Sequence, residues 1–166
     1  PMDSSMSPDT IITLGKLGGL GVLDLEGVWT RYENPLPQLE KITHASDEEA
    51  TRVLQQVYSE PIKPELITAR IQQIRDAGVT VAAALTPQRT QEFYSTVVAA
   101  GVDLFVIRGT AVSAEHISQT HEPLNLKKFI YELDVPVIVG GAGTYRAAMH
   151  LMRTGAAGVL VGSGGS

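Results

Sequence analysis

The 166-residue chain contains no cysteine. That excludes a disulfide framework, a thiolate metal site and a cysteine nucleophile within these residues. Aromatics are scarce at 5%, and 13 Lys and Arg against 18 Asp and Glu leave a formal net charge of −5 with no basic cluster. Without a positive footprint for a polyanion, nucleic acid is disfavoured as a partner. No apolar run is long enough for a membrane span, and the N-terminus lacks the basic and apolar regions of a signal peptide. A cytoplasmic protein with no membrane partner is expected. An opening Pro1 in place of Met leads us to expect an upstream piece. His44, His116, His121 and His150 show no metal-ligand spacing, so no metal site is expected. Ser113, Glu115 and His116 fall in a predicted loop, where nothing arranges them as a nucleophile with an oriented base.

What the chain does have is apolar content, 43%, and 16 glycines. Its last stretch is the most informative. Gly158 to Val161 reads as a short buried strand that opens onto Gly162, Gly164 and Gly165. Lacking Cβ atoms, such a loop can bring backbone N–H groups close to a phosphate. The alternative, for the stretch read alone, is a glycine-rich loop with no ligand.

Upstream, the pattern alternates. Ser7-Pro8 starts a helix that runs to about Leu17, and Leu20 to Leu25 reads as a strand. The glycines from Gly15 to Gly21 imitate a dinucleotide fingerprint, but they follow a helix and precede a strand, the reverse of what that fingerprint requires. Gly27 to Pro64 is the least regular stretch, with Trp29, Tyr32, Pro35, Pro37 and Pro61 and one predicted helix from Asp47 to Tyr58. Its Asp47, Glu48 and Glu49 suit the first turn of a helix rather than a metal. Pro64 opens another helix, whose Ile67, Ile71 and Ile74 form one stripe. Residues 27–77 thus read as a helical insertion. Strands then begin near 79, 102, 135 and 158, separated by helices over Thr86 to Ala100, Leu126 to Leu133 and Thr144 to Arg153. Met149 and Met152 fit helix packing, and His150 a surface position.

Continuous Val, Leu and Ile runs mean strands covered on both faces, and the rhythm is that of repeated βα units. We predict one α/β domain over residues 1–166, part of a (β/α)8 TIM barrel, with an open parallel α/β sheet as the alternative. Both architectures place ligands at the C-terminal ends of the strands. A closed barrel needs about 250 residues, so a partial barrel of five strands plus the exit of a sixth is expected. The residues gathered at that edge are Met2-Asp3, Asp24 to Glu26, Thr86 to Gln88, Arg108-Gly109-Thr110, Gly140-Gly141 and Gly162 to Ser166.

Pro1-Met2-Asp3-Ser4 before a helix, Gly18 to Gly21, Val102 to Ile107, Val135 to Gly141 and Thr154 to Gly162 together resemble the catalytic barrel of the IMP dehydrogenase/GMP reductase family. The likeness spans nearly the whole chain and is greatest to the subgroup that lacks the regulatory CBS pair. It implies a purine nucleotide oxidoreductase acting in guanine nucleotide biosynthesis, with IMP oxidised to XMP by NAD and water. NADPH-dependent GMP reduction, or a non-catalytic nucleotide binder, is the alternative. It further implies Met2 beside the purine, Asp3 and Ser4 near the ribose, and Gly140, Gly141, Gly162, Gly164, Gly165 and Ser166 around the 5′-phosphate. Arg108, Gly109 and Thr110 would meet the cofactor, NAD or alternatively NADP. A monovalent cation near the loop after Gly162 and a homo-oligomer, a tetramer in the family, are also implied. The family's catalytic cysteine would fall just beyond Ser166, so this chain alone is expected to be inactive. The sequence departs from the family pattern in four places. Arg108 replaces an acidic residue, Ala142 an asparagine, Leu160 an arginine, and Asp24-Leu25-Glu26 a pair of histidines.

Overall fold

A computed structural model describes residues 2–109, 115–116 and 124–162. Its frame is a five-stranded, all-parallel sheet made of β1 (Val22–Asp24), β2 (Ala82–Leu85), β3 (Leu104–Arg108), β6 (Val137–Ala142) and β7 (Gly158–Val161). A small antiparallel pair, β4 (Glu115–His116) and β5 (Leu124–Asn125), sits between β3 and β6 in the chain. Those two segments had been expected to belong to a plain loop. The helices are α1 (Pro8–Lys16), α2 (Leu36–His44), α3 (Asp47–Tyr58), α4 (Pro64–Asp76), α5 (Pro87–Ala99), α6 (Leu126–Glu132) and α7 (Tyr145–Met152).

The strand order settles the architecture. The sheet runs β1-β2-β3-β6-β7, so each strand lies beside its predecessor in the sheet. A doubly wound sheet reverses direction at a switch point. Here there is no reversal, and right-handed crossovers that all step the same way lay their helices on one face. The chain is a segment of a (β/α) barrel whose sheet is not closed. Strand alternation confirms which face is which. Leu23, Ala83, Leu85, Phe105, Ile107, Val137 and Val139 form one core with Ile67, Ile71, Ile74, Val97 and Leu151 of the helices. Asp24, Ala84, Val106 and Ile138, aligned by register, line the concave face.

Local chemistry places most helix ends where the sequence predicts them. The Ser7 side chain accepts from Thr10 N–H at 3.1 Å with Pro8 in the first turn, and Thr144 accepts from Ala147 N–H at 3.1 Å. Gly78 and Gly101, at φ +76° and +92°, follow α4 and α5 in the left-handed conformation that glycine adopts without cost. One element differs from expectation. Leu36–His44 is helical although Pro35 and Pro37 read as breakers, because both prolines fall in the helix start, where no N–H is needed.

Candidate active-site rim

The C-terminal ends of the five strands are linked into a continuous hydrogen-bonded rim. At β1, Leu25 N–H continues the ladder onto Ala84 O at 3.0 Å. The next residue, Glu26, places its carboxylate on β2's exit, accepting from Thr86 N–H at 2.6 Å and Thr86 Oγ1 at 3.2 Å. Thr86 caps α5, so this negative charge also complements the helix dipole. Asp24 reaches two strands across. Its Oδ2 meets Arg108 Nη2 at 2.6 Å and its Oδ1 accepts from Glu26 N–H at 3.0 Å. Ala84, the intervening residue on the concave face of β2, carries only a methyl group, which leaves space for Arg108 to lean over it. From β3 the rim passes to β6 through Gly109 N–H on Gly140 O, 2.9 Å, and Gly141 N–H on Gly109 O, 2.8 Å. Gly162 N–H on Ala142 O, 2.9 Å, joins β7.

The glycines at this rim have structural duties of their own. A Cβ on Gly140 would stand 2.4 Å from Leu160 Cβ and 2.8 Å from its carbonyl oxygen, so β6 and β7 approach closely only because Gly140 is bare. The amides of Gly141 and Gly162 are both engaged in the ladder, and Gly162, at φ +110°, has open space where a side chain would be. A register shift between Val139 and Ala142 turns Ala142 into the helix-facing core, where it is buried. A polar side chain at that position would lose water without gaining a partner. Leu160, 43% exposed, lies on the concave face against Gly140.

The turn over residues 2–6 joins the rim through Asp3. Met2 O accepts from Ser5 N–H and Met6 N–H, closing the turn, and Met2 itself is 61% exposed. Asp3 Oδ2 accepts from Val28 N–H at 2.9 Å, just past the exit of β1, and from Tyr58 Oη at 2.5 Å. Its Oδ1 is buried without a hydrogen-bond partner among the described residues and rests on Gly27, where a Cβ would come within 2.0 Å. Burial lifts the Asp3 carboxyl above its usual value, against the opposing pull of the Tyr58 and Val28 hydrogen bonds. The Tyr58 phenol is pushed above its ordinary range by burial and by the hydrogen bond to Asp3.

Two arginines hold the surroundings. Arg31, 9% exposed, donates from Nε to Glu26 O at 2.9 Å and from Nη1 to Tyr58 O at 3.1 Å and Glu60 O at 2.5 Å. Its guanidinium also lies 5.6 Å from the centre of the Tyr58 ring. Arg70 donates to Trp29 O, Tyr32 O and Glu33 O and stacks 5.4 Å from the Trp29 ring centre.

Of the residues proposed from sequence, the structure brings Arg108, Gly109, Gly140, Gly141 and Gly162 together at one edge, and ties Asp3 to the exit of β1. Met2 and Ser4 flank Asp3 on the exposed turn. Thr110, Gly164, Gly165, Ser166 and the proposed cation position lie outside the described residues. Tyr58 and Arg31 were not anticipated as parts of the rim, whereas Glu26 and Thr86 were both placed at this edge and the structure adds the contact between them. Tyr58 sits 55 positions from Asp3, beyond any local pattern. Among the described residues no three His, Cys, Asp or Glu side chains gather as metal ligands, and no helix is long and apolar enough to cross a membrane. At β3's exit, the Arg108 guanidinium pairs with one oxygen of Asp24, whose other oxygen accepts from Glu26 N–H.

Comparison with known proteins agrees with this geometry. A model of the IMP dehydrogenase / GMP reductase domain matches residues 1–166. An uncharacterized oxidoreductase of Mycolicibacterium smegmatis is 48% identical over 99% of this chain and 45% of its own length. One from Mycobacterium tuberculosis is 50% identical with the same coverage. The crystal structure of an IMP dehydrogenase/GMP reductase-like protein from Corynebacterium glutamicum superposes with a TM-score of 0.91 at 45% identity, covering 99% of this chain and 44% of that one. The chain thus spans just under half the length of the curated relatives it matches.

Proposed function

The chain belongs to the IMP dehydrogenase/GMP reductase family, and from that premise we propose that the protein binds a purine nucleotide at the rim described above and oxidises IMP to XMP. Water supplies the new oxygen, and the hydride passes to NAD, which leaves as NADH with release of a proton. The observation that carries the reading is the rim itself. One hydrogen-bonded edge collects the exposed Met2–Ser4 turn, Arg108-Gly109, the Gly140-Gly141 pair and Gly162.

In this reading Met2 lies against the purine, Asp3 and Ser4 stand near the ribose, and backbone N–H groups of the loop that follows Gly162 receive the 5′-phosphate. A nicotinamide cofactor, when bound, accepts or gives the hydride, and Arg108 is the side chain that would hold one of its phosphates. The chain has no cysteine, so the family's thiolate is not among these 166 residues. Arg108 also favours a second reading. A guanidinium at β3's exit suits the extra phosphate of NADPH, the cofactor of GMP reduction.

The test follows the near-ultraviolet absorbance of reduced nicotinamide in the full-length protein. A rise with IMP and NAD supports IMP oxidation, and a fall with GMP and NADPH supports the second reading. Silence with both, together with nucleotide binding by calorimetry, makes the protein a binder and overturns the catalytic proposal. The 166-residue chain alone is expected to turn over neither nucleotide. IMP-dependent NADH formation by it would show that the assignment of the nucleophile is wrong.

A further inference from the structure

The side chain of Asp3 makes the hydrogen bonds that fix the turn over residues 2–6. Met6 packs against the core at the end of the turn, and among the described residues the side-chain hydrogen bonds from the turn to the rest of the barrel run through this carboxylate. Two donors hold it. Val28 N–H comes from the exit of β1, and Tyr58 Oη comes from the last residue of α3, on the far side of the segment that joins β1 to β2. Gly27 removes the Cβ that would push the carboxylate away.

Tyr58 is itself held firmly, and without help from its hydroxyl. Arg31 lies over the ring and grips Tyr58 O and Glu60 O, while Tyr32 Oη donates to Val57 O at 2.7 Å. The ring is therefore placed by a cation and by backbone contacts, and the hydroxyl is left with one partner among the described residues, Asp3.

We infer that Tyr58 is a positioning residue for the substrate turn: its hydroxyl fixes Asp3, and through Asp3 it sets where Met2 and Ser4 stand at the barrel mouth. The inference rests on the proposed reading of Met2–Ser4 as nucleotide contacts. It assigns to α3 a duty in substrate binding although no residue of α3 need touch the nucleotide.

The test uses the full-length protein. Tyr58→Phe keeps the ring beneath Arg31 and removes only the hydroxyl. It is expected to raise the Kd and KM for IMP about tenfold, the scale of one hydrogen bond to a charged acceptor, with kcat changed less than about twofold and the cofactor KM unmoved. Tyr32→Phe is the control. It deletes a hydrogen bond to the same end of α3 and should lower the melting temperature by a similar amount while leaving IMP affinity unchanged. Asp3→Ala should weaken IMP binding at least as much as Tyr58→Phe, and the double variant should be no worse than Asp3→Ala alone.

The outcomes separate the two claims. If Asp3→Ala weakens IMP binding but Tyr58→Phe does not, the positioning role is wrong and the nucleotide reading stands. If Tyr32→Phe weakens IMP binding as much as Tyr58→Phe, the effect is general loosening of α3 and the inference is overturned. If neither Asp3→Ala nor Met2→Ala alters IMP binding, or the wild-type protein binds neither IMP nor GMP, the nucleotide reading fails and takes the inference with it.

Discussion

The sheet and the segment between β1 and β2 are stabilised in different ways. In β2, β3 and β6 the strands are largely buried and pack on helices, with Phe105, Ile107, Val137 and Val139 almost without solvent contact, whereas β7 at the edge leaves Leu160 and Val161 exposed. Between β1 and β2, no residue of α2 is fully buried and α3 buries Val57 alone, although α4 contributes Ile67, Ile71 and Ile74. Beside the burial of α4, Val28 and Ile62, this segment is held by a set of directed contacts. Arg31 and Arg70 each donate to three backbone carbonyls, and neither makes a salt bridge to a carboxylate among the described residues. Apolar burial is non-directional and tolerates small shifts. A guanidinium fork is specific in geometry and fails abruptly when its donors are removed.

If that contrast is right, single substitutions should affect the two regions differently. The largest loss is expected in the sheet. Phe105→Ala removes a fully buried ring that packs edge-on against Phe129, and should cost about 4 kcal/mol in denaturant unfolding. Arg31→Ala should cost about 3 kcal/mol by leaving the carbonyls of Glu26, Tyr58 and Glu60 unpaired. Hydrogen exchange would then show α3 opening while β2, β3 and β6 keep their protection. Uniform loss of protection would break the comparison. Arg31→Lys should recover only part of the loss, because an ammonium cannot reproduce the fork.

Gly140→Ala tests the rim within the sheet. The clash involves Leu160 backbone as well as side chain, so β7 must shift, at a cost of about 2 kcal/mol. A variant as stable as wild type would show that the β6–β7 approach is not tight.

The smallest effect is a pH dependence. The fold raises the Tyr58 pKa above its ordinary 10.0, so the neutral phenol is favoured in the native state. Its contribution is complete below the unfolded value and is lost as pH rises through the folded one. Alkaline unfolding should therefore be shallower in Tyr58→Phe than in wild type. Asp3 is also raised, from 3.8, mainly by burial. Its contribution is complete below that value and is lost as pH climbs through the folded one. Equal slopes for wild type and Tyr58→Phe above about pH 10 would remove Tyr58 from this account.

The barrel elements were legible because each depends on a short pattern. Ser7-Pro8 and Thr144 mark helix starts, and the Ile67, Ile71, Ile74 stripe marks a buried helix face. α2 was obscured because Pro35 and Pro37 can either break a helix or begin one, and only the neighbouring chain decides. The candidate site was legible in outline. The glycines at strand exits were placed at one edge from the sequence, and the structure brings Gly109, Gly140, Gly141 and Gly162 together there, while the close approach of Gly140 to Leu160 had no sequence signal.

What the amino-acid order determined unaided was the alternation of strand and helix and the parallel rhythm, since burial periodicity and capping act over a few neighbouring residues. Only the tertiary structure decided that the strands lie in sequential order, that Asp24 reaches Arg108, and that Tyr58 and Val28 both grip Asp3. Those contacts join residues 25 to 84 positions apart. A carboxylate or a phenol has no local signature for its partner; the partner is chosen when packing brings two distant segments within hydrogen-bond distance and removes the water between them.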